Sequence, residues 1–227
     1  MTRVVTVDGP AGSGKSTLGR RLAVALELPF IDTGLLYRGL TVAAARAGIA
    51  ASDDAALVRL AETTDLAVET DARRIGQVPR VRVGGVPVDA ELYDPGHAEL
   101  LASISSLEVV RSALRPAQRA LAAAGAVAAG RDCGTVVFPD APLKVYLQAS
   151  EEVRSRRRAA QLLAGGRAAD RDTLAGEIVD RDRSDSTRTA GPLKPAADAV
   201  IIDTGALGIE AMVERVLELC EERGLTL

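Results

Sequence analysis

The chain has 227 residues, 47% of them hydrophobic and 26% charged, with 28 lysines and arginines against 31 acids and a formal net charge of -3. That length fits one domain with elaborations or two small ones, with one core expected, and so slight an acidic balance argues against bulk binding to nucleic acid or an anionic membrane, so any basic function is local. Cys133 and Cys220 make neither a disulfide framework nor a zinc-ligand spacing, the lone His97 reads as a surface residue at a helix start, and no apolar run reaches spanning length.

In chain order, "RVVTVD" at 3–8 predicts a buried strand, and "GSGKSTLGRRLAVALEL" at 12–28 switches to helical spacing with Leu18, Leu22, Ala25 and Leu26 on one face. No charged region followed by a long apolar stretch precedes that strand, so a soluble, cytoplasmic protein is expected. The strand runs into a glycine turn and then a helix, and the turn, "GPAGSGKS" from Gly9 to Ser16, fits G-x-x-x-x-G-K-[ST]. Its glycines let the backbone wrap closely, so that successive N–H groups and the positive helix end face the phosphates of a nucleotide. Gly9, Pro10, Ala11, Gly12, Ser13, Gly14 and Thr17 belong to this cradle by position. Lys15 is expected to bridge the β- and γ-phosphates of ATP, and Ser16 to face Mg2+, directly or through water.

"LPFID" at 28–32 is a short second strand, and helical patterns follow at about 34–48 and 53–65. "DTGLLYRGL" at 32–40 joins that strand to the next helix and sets Thr33, Tyr37 and Arg38 at the mouth of the sheet. "LAVET" (66–70) and "VPRVRVGGVPVD" (78–89) read as a small antiparallel unit turning at Gly84 and Gly85. After helical segments between about 96 and 124, strands return at "AVAAG" (126–130), "LKVYL" (143–147) and "DAVIID" (198–203), and an amphipathic helix covers about 207–223. "GRDCGTVVFPDAP" at 130–142 puts Arg131 and Asp132 directly after the third core strand, where neighbours on an extended segment point apart and do not pair. Strands alternating with helices imply an α/β protein: a parallel sheet wrapped on both faces, with ligands beyond the carboxyl ends of the strands. With no repeat or linker, 1–227 reads as a single domain and the hairpin region as an insertion in it.

Arginine is concentrated in two places: Arg154, Arg156, Arg157 and Arg158, and the run "RDRSDSTRTAGPLKP" at 181–195. A guanidinium fork grips phosphate bidentately where an ammonium is a point charge, although lysine occurs only at 15, 144 and 194, which points to compositional bias as well. The run is either a solvated charged face or a clamp for an anion. Arg181, Asp185 and Arg188 stand at i, i+4 and i+7 and share one helix face, which sends Asp182, Arg183 and Ser184 elsewhere. The phosphate loop by itself leaves a kinase, a GTPase-type switch and a mechanical ATPase open. A guanine-reading N-K-x-D is impossible in a chain without Asn, and the best strands of four apolar residues ending in an acid are "VVTVD", which precedes the loop itself, and "AVIID", ending at Asp203. Small size and the arginine clusters favour a kinase.

"GPAGSGKST", "DTGLLYR", "VRSALRPAQR", "GRDCGTVVFPDAPLKVYLQASEEVRSRRR" and "RDRSDSTRTAGPLKPAADAVIIDT" follow the order and spacing of the bacterial cytidylate kinase family, which the chain resembles over essentially its whole length. The resemblance implies a P-loop kinase fold: a five-stranded parallel sheet with helices on both faces, a monophosphate-binding insertion at 34–105 containing a small antiparallel sheet, and a short lid at 154–188. It implies phosphorylation of CMP and dCMP by MgATP; the charge balance speaks against nucleic-acid and membrane partners, and the absence of an obvious exposed apolar stripe favours a monomer. Another kinase of the same architecture, acting on UMP, AMP or shikimate, is the nearest rival.

By the same resemblance Thr33, Arg111 and Asp132 read the base. Cytosine offers an amine donor at N4 and acceptors at N3 and O2, so Asp132 would accept from the amine while Arg111 and Thr33 address the acceptors. Tyr37 belongs to the same substrate pocket. Arg38 and Arg131 would grip the monophosphate, Arg181, Asp185 and Ser103 would contact the pentose, and 181–188 would be a mobile clamp with Arg188 reaching across the bound CMP. Arg154, Arg157 and Arg158 resemble lid arginines that approach ATP; Lys15, Arg131 and Arg188 carry the catalytic assignment. The chain departs from the family pattern at Ala129, where an acid is frequent, at Thr33 for Ser, and at Tyr93 for Arg; the stretch from Ser103 to Arg111 is one residue short.

Overall fold

Val4–Asp8 (β1) is buried at every position because it is the central strand of a parallel sheet, hydrogen-bonded on both sides. The computed structural model in which this is seen describes residues 3–69, 80–164 and 171–225, and, inside the two helices flanking 165–170, not the side chains at 161, 162, 164, 171–175, 177 and 181. Phe30–Asp32 (β2), Ala126–Gly130 (β6), Leu143–Gln148 (β7) and Val200–Asp203 (β8) complete the sheet, in the order β2-β6-β1-β7-β8. Pleating sorts the core. Val5 and Val7 face Leu18 and Leu22 of Lys15–Ala25 (α1) and Met212, Val216 and Leu219 of Ile209–Glu222 (α8). Val4, Ile31, Ala126 and Ala128 pack on the other side beneath Ala122 and Phe138. Strands covered on both faces read as continuous apolar runs, which is how they stand in the sequence.

The expected small antiparallel sheet is present as Leu66–Glu69 (β3), Arg80–Val83 (β4) and Val86–Pro87 (β5). Residues 70, 78 and 79 of that expectation fall outside the described residues. Gly84 and Gly85 both have positive φ (55° and 76°), the backbone that a two-residue hairpin turn of matching twist requires. This sheet packs on Gly34–Arg46 (α2) together with Asp54–Thr63 (α3), Ala98–Ser106 (α4) and Glu108–Leu121 (α5), around a second core of Leu35, Leu40, Leu57, Val81, Ile104 and Leu114. His97 does begin a helix, as the N-cap residue of α4. Glu151–Ala164 (α6) and Arg171–Thr187 (α7) lie between β7 and β8.

Two local expectations are corrected. The chain after β6 is not extended: Asp8 accepts the backbone N–H groups of Cys133 (2.9 Å) and Gly134 (2.7 Å), and residues Cys133–Val137 coil into a wide π-type turn. Asp198 lies ahead of β8 and pairs with Lys144 at 2.9 Å.

Candidate active site

The strand-to-helix turn of 9–16 closes tightly against the sheet. Gly9 has φ 149°, and a Cβ there would stand 2.3 Å from the carbonyl oxygen of Leu147, so no side chain fits. Gly14 (φ 97°) opens α1 as its N-cap, which leaves the first N–H groups of the helix pointing into the loop. Lys15 Nζ donates to Pro10 O at 2.6 Å, spanning its own loop. This turn forms one wall of a cavity of about 340 Å3, on which Ala11, Gly12, Lys15 and Ser16 all lie.

A buried ion pair lies on the same cavity. Arg111, carried by α5, donates from Nη2 to Asp132 Oδ2, and both residues are 4% exposed. Arg111 Nη1 is held by Ser105 O at 3.0 Å, and the Tyr37 ring centroid lies 5.2 Å from the guanidinium carbon. Thr33 follows β2 as the N-cap residue of α2; its hydroxyl donates to Ala129 O at 3.1 Å, one strand across. A hydroxyl whose proton is committed to a carbonyl offers lone pairs only, so Thr33 is an acceptor here, not the donor expected from the sequence. Asp132 depends on Asp8, whose two bonds to the residues after it set the turn. Burial pushes the Asp8 carboxyl up from 3.8 to about 6, against those same hydrogen bonds, which act to lower it.

Four arginines besides Arg111 reach the cavity: Arg38 (α2), Arg131, Arg158 (α6) and Arg188. Arg131 and Asp132 do point apart. Arg131 Nε donates to Asp185 Oδ2 at 2.7 Å and its Nη1 to Gly9 O at 3.3 Å. Arg188 donates from Nε to Gly191 O (2.7 Å) and from Nη1 to Asp185 Oδ1 (3.1 Å), so Asp185 joins the two arginines. Arg188 Nη2 is buried with no hydrogen-bond partner. Burial and the nearby Arg111 charge pull the Arg188 pKa down, and burial does the same to Arg38. Crowded, desolvated cations, one of them with an unpartnered buried donor, suit an anion.

Several assigned side chains stand elsewhere. Ser103 Oγ donates to Ala51 O at 2.5 Å, off the cavity, and Leu101 and Ser105 line it in its place. On a helix 101 and 105 share a face, whereas 103 is about 200° away from the first. The lid arginines divide. Arg158 lines the cavity, Arg157 grips Thr204 through Oγ1 and O (both 2.7 Å), and Arg154 is buried under the loop, donating to Ala149 O (3.2 Å) and Ala11 O (3.1 Å). Arg181 lies on α7, its side chain outside the described ones.

Three residues escaped the sequence reading. Asp182, expected to point away with Arg183 and Ser184, accepts the Ala11 N–H at 3.2 Å and pairs with Arg154, while Arg183 and Ser184 are exposed as expected. Its position three before Asp185 was the available signal, since i and i+3 are helix neighbours. Asp32 lines the cavity and accepts the Gly34 N–H at 3.0 Å; it reads equally as a turn residue in sequence. Tyr93 lies on the cavity as well, in a turn with no motif of its own. Among the described residues no three acids, histidines or cysteines gather as a metal-binding cluster, and the Ser16 hydroxyl and the Asp32 carboxylate are among the oxygen donors that line the cavity.

The sequence matches the family model described as "Cytidylate kinase" over residues 5–222. It is 42% identical over 214 residues to a cytidylate kinase of Pelotomaculum thermopropionicum, covering 94% of this chain and 93% of the relative. It is also 42% identical over 220 residues to a cytidylate kinase of Corynebacterium efficiens, covering 96% and 94%. Among solved structures, an uncharacterized protein from Eubacterium ventriosum superposes with a TM-score of 0.51 at 11% identity, over 97% of this chain and 99% of that one.

Proposed function

The chain belongs to the cytidylate kinase family and phosphorylates CMP and dCMP with ATP, and from that premise we propose how its residues divide the work. The observation that supports the division best is that a buried Arg111–Asp132 pair and a glycine phosphate loop line one cavity. Asp132 and Thr33 accept from the cytosine amine, and Arg111 donates to N3 or O2. Uracil presents an oxygen at position 4 and a proton on N3, so it meets two acceptors and a cation with the wrong polarity. Arg38, Arg131 and the orphaned Arg188 Nη2 hold the acceptor phosphate, with Asp185 keeping Arg131 and Arg188 in register. Residues 34–105 form the acceptor-binding insertion and 154–188 the lid.

On the donor side, the loop amides and the α1 N-terminus receive the β-phosphate, and Lys15 exchanges Pro10 O for the β- and γ-phosphate oxygens. Mg2+ bound with ATP would neutralise phosphate charge, and Ser16 and Asp32 are the residues that would hold it. The attacking CMP oxygen is already anionic and needs no general base; arginines neutralise charge as the phosphoryl group moves. Closure of the lid excludes water and suppresses ATP hydrolysis. Among the described residues the exposed large apolar side chains, Val24, Val86, Tyr93, Val109, Leu163, Ile201 and Leu207, are scattered over separate elements, which favours a monomer, and its substrates are free nucleotides of the cytoplasm. A coupled ADP-release assay with CMP, dCMP, UMP, AMP and no acceptor tests the reading. CMP and dCMP are expected to be turned over well and UMP poorly; equal use of UMP and CMP would replace direct base readout with a looser, water-mediated pocket.

A further inference from the structure

Tyr93 is one of five Phe and Tyr residues in a chain without tryptophan, yet it is 53% exposed. Burial does not account for a half-exposed ring, and its surroundings do. The Arg38 guanidinium carbon lies 4.5 Å from the Tyr93 ring centroid, and Arg38 Nη1 donates to Leu92 O at 2.9 Å. One face of the guanidinium is therefore covered by an aromatic ring and one edge is fixed by a carbonyl, while the side chain still lines the cavity. The ring is itself held. Arg46, two helical turns along α2 from Arg38, makes two bonds to the Glu91 carboxylate (3.1 and 2.5 Å), and Leu92 is buried at 3% exposure, so the turn of 91–93 is fastened to the helix that carries Arg38. The same device recurs deeper in the cavity, where the Tyr37 ring lies 5.2 Å from Arg111.

We infer that Tyr93 is a positioning residue of the acceptor-phosphate site, its ring holding the Arg38 fork in the orientation that meets the phosphate of CMP. The inference rests on the assignment of Arg38 to that phosphate. A long flexible side chain loses rotamer freedom when it binds, and a ring that has already restricted it leaves less to lose. Such an effect acts on acceptor binding and not on the chemical step. The hydroxyl is not needed for it.

Steady-state kinetics with CMP varied at saturating ATP, on wild type, Tyr93→Leu, Tyr93→Phe, Arg38→Met and the Tyr93→Leu/Arg38→Met double variant, tests this. Tyr93→Leu is expected to raise KM for CMP about fivefold, within the range a cation–π contact spans. Its kcat, its KM for ATP and its melting temperature should stay close to wild type. Tyr93→Phe should restore the wild-type KM, and the double variant should be no worse than Arg38→Met, because the ring acts only through that side chain. A wild-type KM in Tyr93→Leu beside a raised one in Arg38→Met overturns the inference alone, as would additive effects in the double variant. A wild-type KM in Arg38→Met removes the assignment of Arg38 and the inference with it.

Discussion

Asp182 accepts the backbone N–H of Ala11 in the phosphate loop at 3.2 Å, and its second oxygen pairs with Arg154, which donates to the carbonyl of the same Ala11. An ion pair thus brackets one residue of the loop from both sides. Asp182→Asn strips the charge that balances a 5%-exposed arginine, a change in the class that costs about 3 to 5 kcal/mol. The variant is expected to melt several degrees lower and to raise KM for ATP roughly tenfold, as the loop loses its brace. Arg183→Met, one residue on and exposed, should be silent in both measurements; identical behaviour of the two would deny Asp182 any part in the donor site.

Arg188→Met should lower kcat/KM for CMP by about a hundredfold, the scale of one or two charge-assisted bonds, and leave the melting temperature almost unchanged. The reason for the split is that the Arg111 charge crowds the side chain and Nη2 has no hydrogen-bond partner, while Asp185 keeps Arg131 when the Arg188 bonds to Asp185 and Gly191 are lost. A large loss of thermal stability with unaltered kinetics would return the 181–188 run to a structural role.

Arg111→Met should cost ten- to a hundredfold in kcat/KM for CMP and narrow the preference over UMP. Because it leaves Asp132 buried without its partner, a lower melting temperature is expected as well. Comparing the CMP to UMP ratio with wild type separates lost readout from lost stability, since a merely weakened fold reduces both substrates alike.

The pH dependence of stability should carry the signature of Asp8. Its carboxyl is raised from 3.8 to about 6 in the fold, so between those values the native state holds a proton that the unfolded chain has released. Stability from this group is therefore full below pH 3.8 and lost as pH climbs through 6, by roughly 3 kcal/mol if the whole shift is realised. Relative to Asp8→Asn, the wild type should gain melting temperature as pH falls from 7 to 4.5. Activity should move the opposite way, with KM for CMP rising below pH 6, because a protonated Asp8 holds the Cys133 and Gly134 amides less well. A pH-independent difference between the two proteins would disprove the titration.

Much of this was legible in the chain. The strand, glycine turn and helix of 3–28 follow from local chemistry alone, as do the Gly84–Gly85 hairpin and the placement of Arg131 and Asp132 beyond a strand end. What could not be read is which partner each arginine meets. Arg154, Arg157 and Arg158 look equivalent as a basic cluster, but helical spacing fans them out, and Thr204, which takes Arg157, is 47 residues further along. Ser103 and Ser105 are alike in composition and differ only in the face they occupy. The polarity of Thr33 depends on a carbonyl supplied by another strand, Ala129 O. In each case local sequence offers the residue type, and tertiary packing decides its role.

Asp182 and Asp185 sit one turn apart on α7, the first on the donor loop and the second between the two arginines of the acceptor side. The helix is thus a single lever with a contact in each nucleotide pocket. A nucleotide that orients it from one pocket has done part of the ordering that the other pocket requires, and thermodynamic reciprocity makes the favour mutual. On the proposed division of the cavity, departure of either product would slacken the hold on the other, so that one helix would link the affinities of two ligands that share no binding residue on it.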